Sequence, residues 1–199
     1  MGATAEGFIG KNLAEGVRLA NGETLPADVI IVGVGIIPAT VYIKGIPLEE
    51  DGGVRVDAHM CISENVYAAG DSVRFPYRGK EIRIEHWRTA GQMGRVAAHN
   101  MAGRSATIDA VPFFWSEQPG MELRYVGYAD RWDEIFLKGD VSSKSFVAFY
   151  ASKNIVHAAC GSNNDSTMAA IEELMRHNTM PTLDVIRRTD IDFGKLLLQ

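Results

Sequence analysis

The chain has 199 residues, 46% of them hydrophobic and 23% charged, which is the composition of an ordinary globular protein. Its net charge of −5, with acidic residues spread along the sequence, argues against a nucleic-acid partner and against binding to a membrane surface. No apolar run approaches the ~18 residues that a membrane-spanning helix needs. No basic start followed by an apolar core is present, so no secretory signal is predicted.

The first elements predicted along the chain are a hairpin and a buried strand. Val17–Leu19 and Glu23–Leu25 flank Asn21-Gly22, a dipeptide typical of tight hairpin turns. The β-branched run from Val29 to Val34 predicts a strand that is buried on both faces of a sheet. The segment from Gly33 to Pro38 resembles a dinucleotide fingerprint, but proline stands where the third glycine belongs. We therefore do not expect pyrophosphate binding there.

The most informative stretch is the predicted strand Val66–Ala69, which runs directly into Gly70 and Asp71. An acid at the C-terminal end of a strand lies where open α/β sheets bind their ligands. Gly70 lets the backbone come close to a ligand. The carboxylate of Asp71 offers only acceptors, which suits a polyol such as the ribityl chain of a flavin. A turn capped by an aspartate is the alternative interpretation of the same residues.

The rest of the chain predicts a helix, a boundary and an antiparallel region. The helix extends from about Trp87 to Gly103, with glycine where a C-cap belongs. A change of composition at Arg104–Val111 predicts a domain boundary. Beyond it we predict the strands Leu123–Val126, Ile135–Leu137, Ser145–Tyr150 and Ile155–Cys160, a helix that starts near Asp165 or Ser166 and ends at His177, and a short helix with an edge segment within Thr182–Asp192.

The two cysteines, Cys61 and Cys160, are far apart and form no C-x-x-C motif. We expect both to be buried reduced thiols rather than members of a disulfide or a metal site. No group of His, Cys, Asp and Glu residues has the spacing of metal ligands, so no metal site is predicted.

The order of five motifs resembles one family. They are the Asn-Gly hairpin, the run from Leu25 to Pro38, the run from Ser63 to Asp71, Glu85-His86-Trp87 at a helix start, and Phe113-Phe114-Trp115. In this order they resemble the FAD-dependent pyridine-nucleotide oxidoreductases, and among them the apoptosis-inducing-factor-like proteins and the ferredoxin reductases. The resemblance covers nearly the whole chain and the C-terminal half of the family's sequence, so we expect a fragment of a longer enzyme.

The resemblance implies a mixed α/β and α+β fold. Residues 1–25 would be the last hairpin of a nicotinamide-binding domain, and residues 26–104 the C-terminal part of a Rossmann-like FAD-binding domain. Residues 111–199 would form the C-terminal interface domain, an antiparallel sheet with helices. Neither glycine fingerprint of the family is present, so we do not expect this chain alone to bind a nicotinamide nucleotide.

The resemblance also assigns site residues around a flavin. Gly70 and Asp71 would hold the ribityl hydroxyls, and Glu85 and His86 would lie beside the isoalloxazine and the nicotinamide. Trp87 begins the helix whose positive N-terminus would face the flavin, and a positive imidazole of His86 would add to that field. A helix N-terminal acid beside a surface imidazole is the alternative interpretation of Glu85-His86.

Phe114 and Trp115 match an aromatic pair from the interface domain that packs over the flavin ring system. Flat apolar side chains shield a flavin from water, and an indole can stack on a nicotinamide ring. The alternative interpretation of Phe113-Phe114-Trp115 is ordinary hydrophobic core.

The implied function is electron transfer from NAD(P)H through FAD to an acceptor, with FAD as cofactor and NAD(P)H as co-substrate of the full-length protein. The implied partners are a further copy of the chain and an electron-acceptor protein. The implied location is intracellular, and mitochondrial if the apoptosis-inducing-factor-like resemblance holds. The alternative function is a non-enzymatic folded module that acts in dimerisation or protein interaction.

Overall fold

The computed structural model describes residues 2–188 and 190–198. By compactness the chain divides into a unit that ends at Ile37 and a second unit that begins at Pro38. This division does not test the boundaries predicted at 25/26 and 104–111, which concern the domains of a longer enzyme and stay predictions. Across the described ranges, none of the helices combines the length and the apolar character that a bilayer crossing requires.

The first unit is a three-stranded antiparallel sheet of β1 (Ala5–Ile9), β2 (Gly16–Leu19) and β3 (Thr24–Pro26), in that order. The predicted hairpin is confirmed, because Asn21-Gly22 forms the turn between β2 and β3. Gly22 has a φ of 87°, and the backbone N–H of Glu23 donates to Asn21 Oδ1 at 3.0 Å. Strand β1 was not predicted because it contains a glycine and buries no residue fully, so it lacks an alternating apolar face.

The predicted strand Val29–Val34 is wrong for the chain as described. Residues 29–40 have no helix or strand assignment, and Ile31 is 92% exposed. A β-branched run forms a buried strand only when neighbouring strands satisfy its backbone and cover both its faces. The described residues place no strand beside this run, so most of its apolar side chains stay exposed.

The second unit begins with short strands and one long helix. They are β4 (Val54–Arg55), β5 (Cys61–Ser63), β6 (Val66–Tyr67), β7 (Val73–Tyr77), β8 (Lys80–Arg83) and α1 (Trp87–Met101). Strand β7 lies between β4, which is parallel to it, and β8, which is antiparallel, while β5 and β6 form a separate ladder. Helix α1 buries Met93 and Ala97 against Phe75 and Ile82 of the sheet. This packing fixes the start of α1 relative to the β7–β8 hairpin.

Helix α1 ends as its sequence predicts. Gly103 follows the helix with a φ of 73°. Its backbone N–H donates to the Asn100 carbonyl at 3.0 Å, and that of Arg104 donates to the His99 carbonyl at 2.9 Å. These two bonds form a Schellman motif, in which glycine is preferred because it adopts a positive φ without strain.

The C-terminal part of the second unit is a five-stranded antiparallel sheet with helices on one face. Its elements are β9 (Phe113–Gln118), β10 (Met121–Gly127), β11 (Glu134–Asp140), β12 (Ser145–Ser152), β13 (Ile155–Ser162), α2 (Asp165–Arg176), α3 (Leu183–Arg188) and α4 (Phe193–Leu196). The strand order is β11-β12-β13-β10-β9. The four predicted strands and the helix to about His177 are confirmed. Strand β9 was not predicted, because its apolar start was interpreted only as an aromatic motif.

The core of this sheet lies on the face that α2 covers. Val126 and Phe149 from the strands pack with Ile171 and Leu174 from α2, and all four are almost completely buried. The opposite face carries Phe114, Tyr125 and other aromatic side chains.

Candidate functional site at the start of helix α1

Three aromatic side chains from two distant parts of the sequence meet at the start of α1. The ring centroid of His86 lies 5.1 Å from that of Trp115 and 5.9 Å from that of Trp87, and the two indoles lie 5.8 Å apart with their planes nearly perpendicular. His86 is the N-cap residue of α1, in extended conformation, and Trp87 is the first helical residue. Strand β9 brings Trp115 to them. The structure therefore brings together three of the seven residues that the sequence analysis assigned to the site.

The imidazole of His86 accepts a backbone hydrogen bond that favours its neutral form. Its Nδ1 accepts a hydrogen bond from the backbone N–H of Arg88 at 3.3 Å, which leaves the proton of the neutral ring on Nε2. Partial burial lowers the pKa of His86, the positive charge of Arg88 lowers it further, and the carboxylate of Asp71 opposes both. The hydrogen bond to Nδ1 and the lowered pKa both favour the neutral ring over the positive imidazole that the resemblance suggested.

Gly70 and Asp71 form a turn beside this cluster. Strand β6 ends at Tyr67, so the predicted strand Val66–Ala69 is shorter than expected, and the acid follows an irregular stretch rather than a strand end. Gly70 has a φ of 109°, and a Cβ built on it would meet no atom within 4 Å. Asp71 is exposed, and its charge acts on His86. The turn thus offers an open backbone and a carboxylate whose charge reaches the imidazole.

Arg83 holds the two acids of the site and was missed by the sequence analysis. Its guanidinium forms an ion pair with Glu85 at 2.7 Å and donates to the backbone carbonyl of Asp71 at 3.1 Å. A second ion pair, at 2.9 Å, joins it to Asp51. Strand alternation gave no signal for the pair of Arg83 and Glu85, because β8 ends at Arg83 and Glu85 lies beyond it.

Phe114 lies away from this cluster. Neighbouring residues on a strand point to opposite faces of the sheet, so Phe114 lies on the face opposite Trp115 and stacks on Tyr125 with ring centroids 4.9 Å apart. Tyr125 contacts Tyr150, which in turn contacts Trp132. These four side chains form a row on the outer face of the sheet, which we call the aromatic row.

Two further side chains join the cluster to α2. The guanidinium of Arg88 forms a two-point ion pair with Glu172, at 2.6 and 3.3 Å, and lies over the ring of Phe113 with its carbon 4.5 Å from the ring centroid. No sequence signal pointed to this pair, because its members are 84 residues apart.

The predictions for the two cysteines and for a metal site can be compared directly with the structure. Cys61 and Cys160 are free thiols, as expected, although both are partly rather than fully buried. In residues 2–188 and 190–198, no three His, Cys, Asp or Glu side chains are grouped so that they could hold a metal ion.

Comparisons with known proteins assign the chain to a family. Residues 1–94 match the family described as pyridine nucleotide-disulphide oxidoreductase, and residues 113–197 match the family described as reductase C-terminal. The chain therefore joins part of a pyridine nucleotide-disulphide oxidoreductase domain to a reductase C-terminal domain.

The relatives of the chain include proteins from both animals and bacteria. It is 36% identical to apoptosis-inducing factor 3 of Mus musculus over 165 residues, which are 80% of this chain and 27% of that protein. It is 38% identical to the ferredoxin reductase subunit of 5,5'-dehydrodivanillate O-demethylase from Sphingobium over 149 residues, which are 73% of this chain and 36% of that protein.

The fold matches a solved reductase over nearly its whole length. The crystal structure of a ferredoxin reductase from Rhodopseudomonas palustris superposes with a TM-score of 0.88 at 26% identity, over 98% of this chain and 49% of that one. The predicted fold class, part of an FAD/NAD(P)-binding domain followed by an antiparallel sheet with helices, is confirmed. The chain thus spans about a quarter to a half of the length of these relatives.

Proposed function

We propose that the chain is the C-terminal part of a flavoprotein oxidoreductase that passes electrons from NAD(P)H through FAD to an acceptor protein. The observation that carries this proposal is the cluster of His86, Trp87 and Trp115 at the N-terminus of α1, with the open turn of Gly70 and Asp71 beside it. Within the family, residues 1–25 would close the nicotinamide-binding domain, residues 26–104 would belong to the FAD-binding domain, and residues 111–199 would form the interface domain.

The residues present fit FAD by their chemistry. A flavin combines a flat ring system with a polyol chain, and the site offers flat aromatic side chains next to a carboxylate. Trp87 is 69% exposed, so its indole is available to a ring. The backbone at Gly70 is open to close approach. FAD would supply the hydride and single-electron chemistry when bound.

The proposal gives a role to each residue of the cluster and to the aspartate of the turn. Asp71 accepts hydrogen bonds from polyol hydroxyls, because an ionised carboxylate has only acceptors. His86, neutral with its proton on Nε2, donates a hydrogen bond without adding a charge. The first turn of α1 favours negative charge nearby, since its N–H groups have no partner within the helix. Trp115 and Trp87 exclude water from the ring system.

The proposed roles of Glu85 and Phe114 depend on the neighbours that they contact. The ion pair with Arg83 fixes the carboxylate of Glu85 at the edge of the cluster, where it would border the nicotinamide. Phe114 supports β9 from the opposite face through its stacking on Tyr125, so its contribution to the site would pass through the position of Trp115.

The proposed acceptor is a small iron–sulfur protein of the ferredoxin type. Support comes from the names of the bacterial relatives, which are ferredoxin reductases. The similarity to apoptosis-inducing factor 3 supports an intracellular, mitochondrial location as an alternative to the bacterial cytoplasm.

The alternative function is a module for dimerisation or protein interaction. The aromatic row favours it, because Phe114 and Trp132 are both more than 40% exposed and large exposed aromatic side chains are typical of contact surfaces. A homo-oligomer is the simplest assembly of this kind.

The experiment that separates the two functions is a titration of the chain with FAD. Stacking on an indole quenches flavin fluorescence, so binding at the proposed site should quench it, and Trp115→Leu should weaken both the binding and the quenching. Trp132→Leu is the matched control, because Trp132 belongs to the aromatic row on the other face of the sheet. Absence of binding, or equal effects of the two substitutions, would reject the flavin site and favour the interaction module.

A further inference from the structure

Arg88 connects three elements at the site. It is the second residue of α1, its guanidinium pairs with Glu172 of α2, and it lies over the ring of Phe113 in β9. Glu172 is only 15% exposed in its side chain, so the pair is partly shielded from water. A two-point Arg–carboxylate pair fixes direction as well as distance, because both groups are planar.

The same residue also determines how His86 is held. The backbone N–H of Arg88 is the donor to His86 Nδ1. Any rotation of the first turn of α1 would move this N–H away from the ring. The clamp between Arg88 and Glu172 opposes such a rotation, because it ties the first turn to a second helix.

We propose that Arg88 is a positioning residue for His86, and that the Arg88–Glu172 clamp maintains the imidazole as its Nε2–H tautomer beside Trp115. The value of this tautomer as a hydrogen-bond donor rests on the proposed function, whereas the positioning itself is a property of the chain. Packing of the interface domain against α1 would thereby set the state of a side chain at the flavin site. The sequence contains no motif that assigns such a role to Arg88 or Glu172.

The test is long-range ¹H–¹⁵N NMR of the histidine rings in the 199-residue chain without flavin. This spectrum distinguishes the two neutral tautomers and gives the pKa of each imidazole. The His86→Gln variant identifies the signal of His86. The informative variants are Glu172→Gln and Arg88→Lys, which change opposite sides of the pair, and Arg95→Gln on the exposed side of the same helix is the control.

In Glu172→Gln, the pKa of His86 should shift in the direction opposite to the shift that the lost charge alone would cause. Removing the negative charge of Glu172 would by charge alone lower the pKa of His86, whereas release of Arg88 from the clamp should raise it toward its ordinary value of 6.5. Asp71 is the other charged group that acts on the ring, and none of the variants changes it. Glu172→Gln should also convert a single tautomer into a mixture.

Arg88→Lys keeps the positive charge but cannot form the two-point pair. It should therefore also produce the tautomer mixture. If both variants give the His86 tautomer and pKa of the Arg95→Gln control, the proposal is wrong. Thermal unfolding of each variant shows whether its spectrum comes from folded protein. The two substitutions lie on different helices, so if one variant fails to fold, the other still tests the proposal. Because no flavin is used, this result is independent of whether the chain binds FAD.

Discussion

Arg83 pairs with Asp51 across the sheet, with Nε 2.9 Å from Oδ2. The same carboxylate oxygen lies 2.6 Å from a guanidinium nitrogen of Arg74. Because Arg83 also pairs with Glu85 and holds the Asp71 carbonyl, one arginine ties the loop before β4 to both acids of the site. The position of these acids therefore depends on an ion pair between two residues that are 32 positions apart in the chain.

We predict that Arg83→Gln destabilises the fold by about 1–3 kcal/mol, because it leaves the partly buried Asp51 with fewer partners. The side chain of Arg83 is 14% exposed, so solvent screens its ion pairs only partly. Urea unfolding measures the loss. The control is Arg55→Gln, which removes an exposed ion pair with Glu49 and should cost less. Equal losses for the two substitutions would contradict the role given to Arg83.

A second prediction concerns acid stability. Three groups lower the pKa of Asp51 to about 2, namely the Gly53 N–H first and then the side chains of Arg83 and Arg74, against the opposing effect of burial. A folded-state pKa below the ordinary 3.8 means that the stabilisation is fully present above pH 3.8 and is lost as the pH falls to about 2.

The Asp51→Asn variant tests this window. Its free energy of unfolding should be lower than that of the wild type above pH 4, and the two should converge as the pH approaches 2. Other carboxylates titrate in the same range, so the difference between the two proteins is the quantity to measure. A difference that stays constant from pH 6 to pH 2 would show that the charge of Asp51 is not the cause.

The sequence predicted the elements whose signals are local. The hairpin at Asn21-Gly22, the Gly103 cap and the four predicted strands of the C-terminal sheet all depend on residues close in sequence. The β7–β8 hairpin was not predicted, because Pro76 argues against a strand. The carbonyl of Arg74 bonds on the side of β7 that faces β4, so by alternation the backbone nitrogen of Pro76 also faces β4 rather than β8. Pro76 is tolerated because the pairing of β7 with β4 stops at Arg74, so the missing N–H has no partner to lose.

Prediction of the site was limited by contacts between distant residues. His86, Trp87 and Trp115 were placed through motif order, and the structure brings them together. Phe114 was expected beside Trp115, but the alternation of a strand separates them, which would have been foreseen had β9 been recognised. The contacts of Arg88 with Glu172 depend on tertiary packing and have no pattern in the sequence.

The exposed segment Val29–Ile37 gives a third prediction, that the chain associates with itself. An extended β-branched run with unpaired backbone groups is a template for pairing with another strand. Light scattering at low micromolar concentration should show a dimer or larger species. Ile31→Lys should lower the association constant at least ~tenfold, since burying one such side chain contributes about 1.5–3 kcal/mol.

The matched control for this substitution is Ile155→Lys. Ile155 is also an exposed isoleucine, but it belongs to β13 and is 58% exposed. If Ile155→Lys disrupts the assembly and Ile31→Lys does not, the sheet rather than the extended segment forms the interface. A wild-type chain that is purely monomeric would exclude both.

The last prediction concerns Asp71 and the polyol. If its carboxylate accepts hydrogen bonds from the flavin, Asp71→Ala removes charge-assisted bonds worth about 1.5–3 kcal/mol, and the dissociation constant for FAD should rise roughly ten- to a hundred-fold. Asp71→Asn should fall between the wild type and the alanine variant, because an amide oxygen still accepts a hydrogen bond.

Glu64→Ala is the control, since Glu64 is an exposed acid in the turn between β5 and β6. It should leave the affinity for FAD unchanged, and all three variants should unfold at nearly the wild-type urea concentration.

A comparison of riboflavin with lumiflavin, which lacks the polyol, shows whether Asp71 contacts the polyol or the ring. Asp71→Ala should weaken riboflavin binding and spare lumiflavin, because only riboflavin carries the hydroxyls. An equal loss for both ligands would mean that Asp71 acts through the ring site or the fold and would return it to the role of a turn residue.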